Sequence, residues 1–387
     1  MATAQATLIE RTGWFKSNWL IGGRDDLIWF ISSVVSSYIL LGLVLKAGSS
    51  GAGLFLVFLV WALIFDGPHV FGTFSRTYFD AQERRTRARL LYGSLLFFAI
   101  GPALVLTGKA ALINGFFFFA GMWAYYHLVK QHYGFMVLYK KKNNDLDPVD
   151  NFIDRAFLLL ALNYPFVYFV LKVGQPVSSD DGKVYTTYQV VDFAIKVATP
   201  ENARRVYVPL FFPQHIANWI DSALFWLFVV TAVLFLARQV QKFVRQEPLN
   251  LPKHLLLLAA VPMHWAALKL LAPTPYGAFT IVPVLTIYHN IQYHRLIWFH
   301  NKNKYHGEDK RQYGAASLIS KSFLFYAVFG LIFNFFYHIP RSFLAAPYGM
   351  AAGFFWGYAF IHYYLDSKIW RVRRDVKLNQ SLRMESA

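Results

Sequence analysis

The chain reads as an all-α, polytopic membrane bundle, and three observations predict it. Of its 387 residues 56% are hydrophobic and only 15% charged, with a mean hydropathy of +0.35, too apolar for an ordinary soluble domain. About ten apolar runs reach the length of roughly 20 residues needed to cross a bilayer. Basic residues gather after alternate runs, the signature of the positive-inside bias.

In order, the runs cover roughly 27–46, 54–78, 90–107, 112–139, 152–171, 219–237, 254–272, 278–299, 318–337 and 348–365. Pro273 and Pro275 break the seventh from the eighth, and the segment 340–347 breaks the ninth from the tenth, because proline cannot continue a helix. Residues 1–26 are mixed and polar, without the pattern of a cleaved leader, so the first run is expected to act as its own insertion signal. The expected organisation is a cytoplasmic N-terminal segment (1–26), a transmembrane domain (27–366) with one sizeable extracytoplasmic loop (172–218), and a basic cytoplasmic tail (367–387).

Charge sets the expected orientation. Arg84, Arg85, Arg87 and Arg89 follow the second run; Lys140, Lys141 and Lys142 follow the fourth; Arg238, Lys242 and Arg245 follow the sixth. Lys302, Lys304, Lys310 and Arg311 follow the eighth, and Lys368, Arg371, Arg373 and Arg374 the tenth. The alternation predicts that both termini are cytoplasmic. A net charge of +17 is then matched to anionic lipid headgroups and not to nucleic acid. Cysteine is absent, which excludes disulfides, iron–sulfur clusters and thiolate-ligated haem, and leaves imidazole and carboxylate as the strong metal ligands.

Seven of the twelve histidines fall in four aromatic-rich motifs: DGPH (66–69), YHLVKQH (126–132), YHNIQYH (288–294) with His300 behind it, and HYYLD (362–366). All four lie toward the cytoplasmic ends of the second, fourth, eighth and tenth runs. Polar side chains at membrane depth are costly and mark functional sites, so convergence on one site is expected. The candidate metal ligands are His69, His127, His132, His289, His294, His362, Asp66 and Asp366. Gln131, Gln292, Tyr293, His300 and Arg76 are candidates to support the ligands or touch substrate. Arg76 with Asp80 also reads as an acidic-headgroup site or an interfacial ion pair. The fourth and eighth runs share a TyrHis followed by a second His, a short internal likeness that would set two helices face to face across the site.

Helical geometry sorts these residues. Positions three or four apart share a face, grouping Asp66 with His69, His127 with Gln131, His289 with Gln292 and Tyr293, and His362 with Asp366. Five residues at about 100° each leave the two histidines of a repeated motif about 140° apart. Either a π-bulge brings them together or only one binds, and the first member of each pair, having the glutamine partner, is the expected ligand. Pro68 is expected to open its helix and free carbonyls near the site. His264 reads as an extra ligand or an interhelical hydrogen bond, and His215, His254, His306 and His338 as surface residues. The sixth run is expected to be packing, and the basic tail to be a lipid anchor.

Several imidazoles with one or two carboxylates suit iron, copper or zinc better than magnesium or calcium. The layout resembles the integral-membrane non-haem iron oxygenases, both the desaturase and hydroxylase group and the bacterial carotenoid-cleaving dioxygenases. The resemblance covers no continuous sequence, and the histidine spacings here are wider than the desaturase signature, so no residue role carries over. It implies an iron-dependent, dioxygen-using oxidoreductase acting on a lipid, fatty acyl or isoprenoid substrate, with an electron-donor protein as partner. It also implies a multi-pass protein of a bacterial inner or cell membrane. Two other classes fit the residues: an electron-transfer protein with haem b held by His127 and His289, and a metal or lipid transporter.

Overall fold

The computed structural model describes residues 13–47, 51–178, 184–190, 206–274, 277–306, 310–344 and 349–384. Ten long helical segments follow one another: α1 (Gly23–Ala47), α2 (Ala52–Ser75), α3 (Ala88–Leu106), α4 (Ala110–Lys142), α5 (Pro148–Val173), α6 (Gln214–Val244), α7 (Leu251–Leu271), α8 (Gly277–Tyr305), α9 (Phe323–Arg341) and α10 (Met350–Ile369). Eight of them are long and apolar enough to cross a membrane; α8 and α10, which carry two of the histidine motifs, fall short on apolarity. Their His, Tyr, Asn and Asp residues are the cause. Pro275, Asp181 and Pro347 lie outside the described residues.

Helix is not the whole of the chain. Between α5 and α6, β2 (Gly174–Ser178), β3 (Val184–Val190) and β4 (Val206–Pro213) form an antiparallel sheet in the order β2-β3-β4. The loop expected to end at 218 therefore ends at α6, whose first turn holds the exposed His215. A second, two-stranded pairing joins β1 (Phe15–Lys16) in parallel to β5 (Leu249–Asn250).

The two largest of four buried clusters among the described residues hold most of the helices together. The larger draws on α1, α4, α5, α7 and α8 through Phe30, Tyr139, Leu158, Leu256 and Tyr288. The smaller joins α2, α3, α9 and α10 through Phe74, Leu91, Tyr337, Phe355 and Ile361. Within the smaller, α3 and α10 touch backbone to backbone: a Cβ built on Gly101 would stand 2.4 Å from the Gly353 carbonyl oxygen, and one on Gly357 2.5 Å from Phe98. Small residues four apart allow that approach in a membrane, where close packing replaces the hydrophobic drive between helices. At the edge, α6 exposes Trp226, Val230, Val233 and Val240, as a lipid-facing helix does.

The basic segments collect at one end of the bundle. The N-terminal segment pairs there through Asn18 with Asn143 at 2.9 Å, and Arg87 pairs with Asp375. Beyond the basic stretch 368–374 the tail packs back as the helix Val376–Ser381, Lys141 donating to Asn379 at 2.7 Å and Asn303 to the Ser381 carbonyl at 2.7 Å. Its Leu378, Leu382 and Met384 are part of the main core. Lys140 and Lys242, read from the sequence as basic residues beside the spans, are internal, as is Lys253. Lys140 and Lys253 share Asp154, Lys253 and Lys242 share Asp145, and Lys242 and Arg238 share Asp150, tying α4, α5, α6 and α7 together. At Asp145, in the α4–α5 loop, burial raises the carboxyl pKa, but the ammonium groups of Lys253, Lys140 and Lys242 outweigh it and hold the group well below the carboxylate range.

Candidate metal centre

Four histidines from four helices converge where the two clusters meet. His69 of α2, His127 of α4, His289 of α8 and His362 of α10 each bring one ring nitrogen within 4.8 Å of the others. The Nε2 of His69 stands 2.8 Å from that of His362 and 3.1 Å from that of His289. His127 closes the group with its ring centroid 4.6 Å from His362 and 5.2 Å from His289. Its Nε2 is shielded and has no hydrogen-bond partner. His69, His289 and His362 are buried.

The α10 side of the group fixes a tautomer. Thr73 Oγ1 lies 2.7 Å from His362 Nδ1, 2.6 Å from Asp366 Oδ1 and 2.6 Å from the Tyr293 hydroxyl, which itself donates to Asp366 at 2.9 Å. With the Thr73 hydroxyl donating to Asp366, the His362 tautomer that satisfies the Thr73 contact donates its Nδ1–H there and keeps the lone pair on Nε2, aimed at His69. A neutral imidazole nitrogen carries either a proton or a lone pair, so one proton at His69 Nε2 serves both neighbours only as a shared, three-centre donor. A cation receiving lone pairs from all the rings would satisfy both. Nitrogens each about 2.1 Å from one ion stand about 3.0 to 3.4 Å apart, close to the two shortest contacts. The donor set therefore fits a nitrogen-seeking transition metal.

Local backbone detail delivers these side chains. Helix α2 contains a π-turn at Ala62–Asp66, directly before Pro68, where the missing proline N–H disrupts the regular ladder. The freed carbonyls are taken by side chains: Asn334 donates to the Leu63 oxygen at 2.7 Å, and His294 Nε2 lies 3.4 Å from the Phe65 oxygen. A second π-turn, at Leu27–Ile31 of α1, exposes the Phe30 carbonyl to Tyr288 at 2.6 Å and Gln292 at 2.7 Å. The bulge considered for α4 and α8 is absent from both, which are regular throughout their described length.

Regularity separates the members of each pair. His127 and His289 join the group; His132 and His294 do not. His132 is buried beside His264 with ring centroids 5.4 Å apart, and neither of its nitrogens has a hydrogen-bond partner. His294 Nδ1 meets the Tyr326 hydroxyl at 2.9 Å. Asp66 turns from His69 to His338, 2.8 Å away, and His338, expected on the surface, is buried. Gln131 donates to the His289 carbonyl at 2.8 Å and Gln292 to Phe30, so neither supports the imidazole one turn away. His264 makes the interhelical bond, to Tyr125 at 2.9 Å. Asp80 caps the helix Ala81–Thr86 and pairs with Lys304 at 2.8 Å, leaving Arg76 aside. His300 is buried against Trp370, ring centroids 5.9 Å apart. Thr73, Asn334 and His338 escaped the sequence reading; Thr73, one turn after His69 on the same face, carried a usable signal.

No family model, curated protein or solved structure matches this chain.

Proposed function

We propose that this chain is a ten-span integral membrane metalloenzyme, both termini cytoplasmic, whose centre is built from His69, His127, His289 and His362. The reading rests on one observation: four histidines of four helices bring ring nitrogens together, three Nε2 atoms of them meeting at 2.8 and 3.1 Å. All-imidazole ligation accommodates iron, copper or zinc; iron is taken here from the resemblance in layout to the membrane non-haem iron oxygenases, and with it dioxygen-using oxidation of a lipid, fatty acyl or isoprenoid chain at the cytoplasmic leaflet. Bound iron would supply the redox chemistry. The protein's part is orientation: Thr73 and Asp366 hold the His362 ring and its tautomer, while the aromatic packing keeps water out. A haem between His127 and His289 is less well supported, since His362 stands 4.6 Å from one ring and His69 4.6 Å from the other, where a macrocycle would have to pass.

The test is metal content and oxygen uptake of the protein purified in lipid nanodiscs. Wild type should hold stoichiometric iron and consume oxygen with a lipid substrate and a reductant. Single Ala variants of His69, His127, His289 and His362 should lose the iron while inserting normally, and Ala at His132, His294, His215 or His306 should keep most of it. Full iron occupancy in the first four variants would sink the proposal.

A further inference from the structure

Arg76 ends α2 two turns beyond His69 and is 2% exposed. Its Nε and Nη1 have no hydrogen-bond partner, and Nη2 makes one long contact, 3.5 Å, to the Ile369 carbonyl. Among the described residues it forms no ion pair. The nearby carboxylates are engaged elsewhere: Asp80 by Lys304, Tyr305 and two backbone amides, Asp366 by Thr73 and Tyr293. The Trp370 ring covers one face of the guanidinium at 4.0 Å. Nearby, Nδ2 of the buried Asn301, whose neighbour His300 packs on the same indole, is also unpartnered, while the Trp370 indole is turned to Asp366. A buried charge is costly unless paired, and two unmet guanidinium nitrogens with an unmet amide N–H nearby describe a receptor for an oxyanion.

We infer that Arg76, with Trp370 stacked on it, anchors the carboxylate head of an amphiphilic substrate whose chain runs toward the four histidines. This deepens the oxidoreductase reading above and rests on it for the fate of the chain. Guanidinium and carboxylate match as a bidentate pair. Seven residues of helix place the anchor about 10 Å from His69, so the oxidised position lies along an acyl chain well away from its head, and neutral isoprenoids are disfavoured as substrates.

Equilibrium binding of radiolabelled laurate, methyl laurate and inorganic phosphate to the full-length protein in zwitterionic nanodiscs tests this without turnover. Wild type should bind laurate at least about 10-fold more tightly than its methyl ester, and Arg76→Gln should erase that preference, a loss of about 10 to 100-fold expected for hydrogen bonds to a charged group. Methyl laurate affinity and iron content should stay unchanged in the variant. Equal binding of laurate and ester by wild type would overturn the inference whether or not Arg76→Gln folds, as would a folded Arg76→Gln that keeps the preference. Phosphate binding as tightly as laurate would also overturn it, marking a site for free anions. Absence of iron from wild type would sink the metal centre yet leave the laurate preference intact, so the two failures are distinguishable.

Discussion

At His362 a single hydroxyl decides what the imidazole offers. Thr73 donates to Asp366 and lies 2.7 Å from Nδ1, an arrangement that suits the tautomer with Nδ1–H donating to Thr73 and the lone pair on Nε2. Thr73→Val keeps the shape and removes the hydroxyl, freeing the ring to rotate or change tautomer. Losing an outer hydrogen-bond partner of a ligating histidine commonly costs about 10 to 100-fold in metal affinity. Iron titration of Thr73→Val should therefore show a loss in that range, with the total loss reserved for His362→Ala. Unchanged affinity would mean that His362 is held by packing alone. The second histidine of each pair teaches the complementary point: His132 and His294 are as buried as ligands would be, yet sit on other faces of regular helices and meet Tyr288, His264 and Tyr326 instead. Their separation was legible from spacing; their destinations were not.

At the scale of elements, α10 is positioned by what it lacks. Gly353 and Gly357 let it lie directly on α3, and His362 sits little more than one turn beyond Gly357. Replacing Gly353 by Ala puts a Cβ 2.7 Å from the Gly101 carbonyl carbon, backbone that cannot move aside as a side chain would. The helices must separate, at a cost of about 1 to 3 kcal/mol by analogy with overpacked cores. We expect Gly353→Ala to melt at lower temperature and to bind iron more weakly although it touches no ligand, whereas Gly93→Ala, in open space, should do neither. A stable Gly353→Ala with normal iron content would show that α10 is set by its aromatic contacts. The small-xxx-small spacing was present in the sequence, but a glycine pair says nothing of its partner helix. The same limit applied to the π-turns: Pro68 marked one, while that in α1 is stabilised by Tyr288 and Gln292, some 260 residues away.

For the whole molecule, the gathering of basic segments at one end agrees with the alternation of charge along the chain. The N-terminal segment, the loops after α2, α4, α6 and α8, and the tail all interact there through Asn18, Arg87, Lys142, Leu249, Asn303 and Asp375. Reporter fusions after Arg89, Lys142, Arg245, Lys310 and Arg374 should therefore all read cytoplasmic, and one near Asp181 should read outside. A cytoplasmic Asp181 would break the alternation and place the histidine motifs in both leaflets.

By itself the sequence determined the helical, membrane-type class and the four motifs from which the histidine group is drawn, because apolar length and 3.6-residue periodicity are local properties of the chain. Only the tertiary structure decided which histidines meet, that Asp66 pairs with His338, that Gln131 and Gln292 serve backbone carbonyls, and that Lys140, Lys242 and Lys253 are internal ion-pair partners. Each of these depends on what a neighbouring helix presents across a few ångströms. In a membrane interior, with no water to satisfy a stray polar group, that neighbour settles which histidine, carboxylate or amide finds a partner.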